Sequence, residues 1–318
     1  KKEWQRGLGG KSMESAGFGI DILEDGSYII SGSLGSKSGD FSDVTYYGDV
    51  FDIFAAKISP EGKLLWTKAY GGDKNEYTNG VISTSDGGFI MLGNTKSTTD
   101  TFQGVGTSYD NAFVIKCDAQ GEVQWKDVIK SSEYSELSRG IEVDGEYVFL
   151  GQSRGTDFDF KNINKGSMDV FVTIYDKSGN RKSLETIGGS STEYASSICL
   201  LNDYQISLLM YGDSTDGDMK DLNRGDFDGT LLTYDYKEKS EAPGDTEGEE
   251  EQPETPGDTE GGEEEQPETP GDTEGVEEEQ PETPGDIEGG EEEQPETPGD
   301  TEDGEKEQPD NSGDAENI

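Results

Sequence analysis

From residue 4 to about residue 236 the chain alternates apolar runs of about 6 to 9 residues with segments rich in Gly, Asp and Ser. At 76 to 130 the runs include "TNGVISTS", "GFIMLGNT", "AFVIKCD" and "EVQWKDVIK". They are rich in Val, Ile, Phe and Trp, and no long run has a helical period, so they predict strands. Tight turns join the first two strands of each unit ("EDGS" at 24, "SDGG" at 85, "VDGE" at 143, "LNDY" at 201) and the last two ("SPEG" at 59, "DAQG" at 118, "DKSG" at 176). Asp and Gly supply the positive φ that such hairpins need. The connection between the second and third strands is long, and so is the link between units.

The pattern recurs. "DIFAAKISPEGKLLWTK" at 52, "DNAFVIKCDAQGEVQWK" at 110 and "DVFVTIYDKSGNRKSLE" at 169 are one sentence written three times, and "DGTLLTYDYKEK" at 228 breaks off halfway. Trp4, Trp66, Trp125 and Leu184 align, as do Glu14, Glu76, Glu136 and Glu193. Four antiparallel strands at this period predict an all-β protein, a β-propeller of four four-stranded blades. Blades fall at about 9–70, 71–130, 131–187 and 188–236, each needing its neighbour to bury its faces. The aligned tryptophans are expected to fill space between sheets. The fourth unit has three strands, and "EWQRGLGG" is an orphan fourth, so residues 3–8 are expected to close the ring by completing the last blade. The alternative is that further blades precede residue 1.

The unit W-x-K-x-Y-G-G…E-Y…D-G-G-F-I-x-L-G-N-T-x-S…D-x-A-F-V-I-K-x-D-x-x-G, read from Trp66 to Gly121, resembles the propeller repeats of bacterial secreted and surface proteins, often described as seven-bladed. The resemblance covers residues 4 to about 236 and implies a propeller in an extracytoplasmic setting, with little said about ligand. The chain departs from the pattern in blade number and in "KSS" at 130, where other units carry Gly-Gly.

Composition divides the chain. Ten of eleven prolines and 33 of 71 acidic residues lie after Lys239, with one basic residue and no aromatic in 241–318. The segment repeats every 14 residues ("GDTEGGEEEQPETP"). It lacks the apolar surface to offset folding entropy, so 240–318 is expected to be a disordered spacer. It resembles the Pro/Glu-rich stalks that precede the wall anchor of Gram-positive surface proteins, which implies a cell-wall-associated, extracellular location. The net charge of −46 opposes nucleic acid and anionic membranes as partners. No apolar run approaches membrane-spanning length. A monomer is expected.

The chain has no histidine, which removes the commonest general base and metal ligand. Cys117 and Cys199 both sit in apolar runs and are expected to be buried; two cysteines define no disulfide framework. The long loops form the candidate binding face, since function tends to sit on loops held by a rigid scaffold. They carry Asp40, Asp43 and Asp49; Asp100 and Asp110; Asp157 and Asp159; and, richest of all, Asp213, Asp216, Asp218, Asp221 and Asp226. Asp213, Asp216, Asp218 and Asp221 are candidate calcium ligands, against the plainer reading of solvated turns. Glu14, Glu76, Glu136 and Glu193 begin the innermost strands. They either ring the channel mouth as binding residues or hold backbone N–H groups at the links. Arg224-Gly225-Asp226 spells an adhesion tripeptide that is too short to weigh. These observations favour a surface binding or adhesion module for an extracellular protein or glycan, with no enzymatic activity and no cofactor except calcium. The alternative is a carboxylate-dependent glycoside-acting enzyme on the long-loop face.

Overall fold

The computed structural model describes residues 1–47 and 51–236. Blade 1 comprises β1 (Glu14–Ile22), β2 (Tyr28–Leu34), β3 (Asp52–Ile58) and β4 (Leu64–Tyr70). Blade 2 comprises β5 (Glu76–Ser83), β6 (Phe89–Thr95), β7 (Asn111–Cys117) and β8 (Val123–Ile129). Blade 3 comprises β9 (Ser135–Val143), β10 (Glu146–Ser153), β11 (Asp169–Asp176) and β12 (Arg181–Ile187). Blade 4 has β13 (Glu193–Asn202), β14 (Gln205–Gly212) and β15 (Asp228–Asp235). Every sheet is an antiparallel meander in chain order, and the fold is the all-β stack of propeller blades that the patterning predicts.

Burial explains the continuous apolar runs. β6 and β7 are buried along their whole length because a blade lies on each face, and β3 of blade 1 is as buried because blade 2 covers one face and Leu8, Phe41 and Val44 pack on the other. The fourth strands β4 and β8 are only half-covered, and their sequences are correspondingly mixed. The first strands pack successively, β1 on β5, β5 on β9 and β9 on β13, so they form the inner layer. Phe89, Met91 and Phe113 face blade 1, whereas Ile90, Leu92 and Val114 face blade 3. The period-two alternation thus splits each strand between two cores.

Each long second-to-third loop opens with a short 3-10 turn that plugs the blade with Phe41, Phe102, Phe160 or Met219. Trp66 and Trp125 lie over the turn glycines Gly121 and Gly179 of the next blade: an added Cβ would strike the Trp125 indole at Gly179 and would meet Lys68 and Tyr70, with Trp66 just beyond, at Gly121. Both turn glycines have positive φ. Trp125 also stacks on Tyr175 at 5.9 Å and donates from Nε1 to the Lys177 carbonyl at 3.1 Å. The tryptophans therefore bridge blades.

Residues 3–8 do not close the last blade. The fourth sheet has three strands, and residues 1–13 form none. Trp4 lies over Gly62 of blade 1 and donates from Nε1 to the Pro60 carbonyl at 2.9 Å, as Trp125 does to Lys177 of blade 3. The segment is held as a fourth strand would be by the blade that follows it. Arg6 pairs with Asp40 at 3.0 Å. Cys117 is buried, whereas Cys199 is exposed, contrary to expectation, on the uncovered face of blade 4. Among the described residues no helix is long and apolar enough to cross a membrane. The predicted spacer at 240–318 and Asp49 lie outside the described residues.

Candidate functional site

The acidic long-loop residues have a repeated task. Asp40, Asp159 and Asp218 accept hydrogen bonds from the backbone N–H groups of Gly9, Lys130 and Gly188, the first residues of three links. Thr101 does the same for Gly71 through its hydroxyl. Asp157 and Asp216 accept from Ser132 and Ser190 at 2.9 and 2.7 Å. Asp213 accepts from the Thr192 N–H at 2.9 Å. The Ser191 hydroxyl, with the Thr192 N–H, holds Asp213 below the usual carboxylate range, and Ser190 does the same for Asp216. Asp218 also pairs with Lys165, and Asp221 is exposed at φ 65°. The four candidate calcium ligands are thus not gathered. Among the described residues no three acidic, histidine or cysteine side chains come together to hold a metal. The carboxylates of Asp213, Asp216 and Asp218 are spent on backbone donors that any folded link must satisfy.

The aligned glutamates separate into two kinds. Glu14 accepts from the Gly10 N–H at 2.9 Å, and Glu193 from the Gly189 N–H at 3.0 Å. Glu76 accepts from the Thr95 hydroxyl at 3.0 Å. Glu76 and Glu193 are fully buried. Each meets an aspartate from the preceding blade. Asp52 Oδ1 and Glu76 Oε2 both lie within 2.9 Å of the point where a Cβ on Gly71 would stand. Asp169 Oδ1 and Glu193 Oε2 lie within 2.6 Å of the same point on Gly188. A side chain there would strike the acids, which explains the Gly-Gly of these links.

Asp52 Oδ1, Glu76 Oε2 and Asp169 Oδ1 have no hydrogen-bond partner. Burial pushes Asp52 up to about 7 and Glu76 up to about 8, with the opposing carboxylate adding to the rise in Glu76. Burial, with Glu193 adding, pushes Asp169 up to about 6. Two carboxylates this close favour sharing a proton over ionising together.

Glu136 belongs to the other kind. The strand start that donates its N–H across the junction is Glu76 to Phe51, Glu193 to Met168, and in blade 3 Ser135 to Asp110. Glu136 is one residue further on, the counterpart of Tyr77 and Tyr194. A one-residue step along a strand moves the side chain to the opposite face. Glu136 accordingly leaves the link and lines an inner-layer cavity of about 160 Å³ with Asn79, Ser138, Arg139, Ala195 and Ser196.

Both carboxylate oxygens of Glu136 are fixed there. Asn79 Nδ2 donates to Oε2 at 2.7 Å, and Gln152 Nε2 donates to Oε1 at 2.8 Å. Gln152 in turn accepts from the Ala195 N–H at 3.0 Å, tying blade 4 to the same network. The Tyr134 phenol is driven well above its ordinary range by burial, then by the charges of Glu136 and Asp110. Two carboxylates from the middle junction therefore act on one phenol. The Glu-to-Glu alignment hid the step of one residue. The tryptophan spacing of 59 from Trp66 to Trp125 would have revealed it, because the same step from Glu76 lands on Ser135.

Neither a protein-family model nor a curated protein matches the chain. Similar solved structures include an α-L-arabinofuranosidase from Fusarium graminearum (TM-score 0.40, 9% identity, 68% of this chain and 60% of that one). An α-L-arabinanase from Penicillium chrysogenum in complex with arabinobiose has a TM-score of 0.40 and 8% identity, with the same coverage. A levansucrase from B. megaterium has a TM-score of 0.37 and 12% identity, covering 71% of this chain and 66% of that one. The chain spans about 60% of the length of the first two. These similar structures are enzymes by name, which stands against the expectation that the chain has no enzymatic activity.

Proposed function

We propose that this propeller acts on carbohydrate at the inner-layer cavity, with Glu136 as the acting carboxylate. The observation that carries the reading is the set of polar groups converging on Glu136: Asn79 and Gln152 orient its two oxygens, and Arg139, Ser138 and Ser196 stand beside it. A few placed donors and acceptors around one carboxylate suit a neutral, hydroxyl-rich ligand. Glycoside cleavage by the usual route needs a second carboxylate. In this reading Asp110 is the candidate for it: it belongs to the same junction, accepts from Asn94 Nδ2 at 2.6 Å and pairs with Lys96 at 3.3 Å. The acidic composition of 241–318 supports display outside the cell, on a surface-held spacer.

The test is a panel of chromogenic glycosides run beside a glycan array with the full chain. Turnover that falls on the order of a hundredfold or more in Glu136→Gln supports the enzymatic reading. Glycan binding without turnover, weakened in Asn79→Ala, leaves an adhesive module at the same site. Neither binding nor turnover overturns the proposal.

A further inference from the structure

Tyr77 stands between the two amides that hold the carboxylates of the inner site. On β5 it lies two residues before Asn79, which donates to Glu136 at 2.7 Å. Across the ladder it faces Asn94 of β6, which donates to Asp110 at 2.6 Å. Directly opposed residues of an antiparallel pair share one face of the sheet. That face is turned to blade 3, because Leu92, two residues from Asn94, packs in the core shared with that blade. Glu136 is the corresponding residue of blade 3, opposite Gln152 as Tyr77 is opposite Asn94.

The ring is presented rather than packed away. Tyr77 is 40% exposed, whereas Glu76 and Thr78 on either side of it are buried. Its ring lies 6.0 Å from that of Phe51, tilted by 42°. Phe51 is itself fixed: its N–H donates to Asn75 Oδ1 at 3.0 Å, and its carbonyl accepts from the Glu76 N–H at 2.8 Å. A single exposed tyrosine needs no explanation, but one whose strand neighbours orient two carboxylates does.

The cavity beside Glu136 holds about 160 Å³, less than the roughly 300–1,000 Å³ of sites that enclose a drug-sized ligand. A chain of sugar units is too large to be enclosed there, so whatever extends from the cavity passes over its rim. Glu136 and Asp110 disfavour an anionic sugar, and the Lys96 charge is already taken by Asp110. An aromatic face suits the C–H face of a neutral sugar ring.

We propose that Tyr77, steadied by Phe51, stacks on a second sugar unit, so that the site takes neutral oligosaccharides in preference to single sugars. The inference rests on the carbohydrate reading of the Glu136 cavity given above. One unit meets Glu136 and Asn79, and the next lies with its C–H face on the Tyr77 ring. Tyr77 binds and positions the ligand and transfers no proton.

Titration of the full chain with the arabino-, xylo-, cello- and malto-oligosaccharide series, one to four units long, tests this. The quantity read is Kd, or kcat/KM where the sugar is cleaved. In the native protein the step from one unit to two should favour the longer sugar about tenfold, the size of one good aromatic contact. Tyr77→Ala should shrink that step to less than about threefold, and Tyr77→Phe should keep it, because the ring and not the hydroxyl makes the contact. The side chain is exposed, so the melting temperature of both variants should stay close to native. Glu136→Gln should instead weaken every length alike. A step that is absent from the native protein, or equal in Tyr77→Ala, overturns this inference and leaves the carbohydrate reading standing. A native protein that takes none of the four series overturns it too, and a silent glycan array beside that result removes the carbohydrate reading as well.

Discussion

The junctions between blades 1 and 2 and between blades 3 and 4 are built alike, and the one between blades 2 and 3 is not. The outer two each bury an Asp–Glu pair beneath a glycine, Asp52 with Glu76 and Asp169 with Glu193. The middle one replaces the pair with Asn111 and Ser135, which are neutral and internally satisfied. Asn111 Nδ2 donates to the Ser131 carbonyl at 3.0 Å, and the Ala112 N–H donates to the Ser135 hydroxyl at 3.0 Å. With the long acid gone, the link carries Lys130 where the others need glycine. The acid that the middle junction does carry, Glu136, faces the inner cavity. In a repeat protein, what recurs in every unit holds the array together, and a departure confined to one unit marks where another demand intervenes.

The largest effect should come from making the junctions identical. Asn111→Asp with Ser135→Glu places an acid pair where Lys130 leaves no glycine-shaped space. Destabilisation of about 3 kcal/mol is expected, with a melting temperature lowered on the order of 10 °C near pH 8 and less near pH 5. A loss that does not vary with pH would show that sterics alone cause it.

The native protein should itself respond to pH. Asp52, Glu76 and Asp169 have pKa values raised in the fold to about 7, 8 and 6. The stability they supply is fully present below their unfolded values near 4 and is lost as pH rises through the folded ones. A scanning-calorimetry series should therefore show the melting temperature falling on the order of 5 °C between about pH 5 and about pH 8.5. Asp52→Asn with Asp169→Asn should flatten that slope. At the acid end the sign reverses, because Asp25 is held down at about 2, chiefly by its hydrogen bond from Lys57. Its contribution fades as pH falls below about 4.

Smaller effects separate the inner cavity from the packing. Glu136→Gln should shift chemical denaturation by less than about 1 kcal/mol, because the residue is only half-buried and an amide keeps much of the network. A large loss of stability would place Glu136 among the structural acids. Blade 3 carries Phe158, with φ 44° and 64% exposed, where blades 1 and 4 carry Gly39 and Gly217 and blade 2 carries Asp100 at φ 48°. Positive φ strains a bulky residue, so Phe158→Gly should raise stability by up to about 1 kcal/mol in the same denaturation. A drop instead would mean that the ring makes contacts outweighing the strain.

The fold was legible because strands buried on two faces leave long apolar runs, and turns with positive φ leave Asp and Gly at fixed offsets. The site was less so. Composition suggested that Asp213, Asp216 and Asp218 were gathered for a ligand, yet side-chain direction is invisible in a list of residue types, and each serves a backbone N–H in a different part of the link. Glu136 was picked out by an alignment that placed it with the structural glutamates. Only the strand register shows that it points the other way.

The three tryptophans give the array its own spectroscopic map. Trp66 and Trp125 each sit at one blade boundary and Trp4 against the first blade, each beside the turn of the blade that follows it, whereas in β12 the strand register sets Ser183 at that position and turns Leu184 back into the core shared with blade 2. Indole emission therefore reports the opening of the first blade and of the two boundaries after it. It is blind to the last boundary. A fluorescence trace that lags behind circular dichroism on heating would mean that the three-stranded blade frays first.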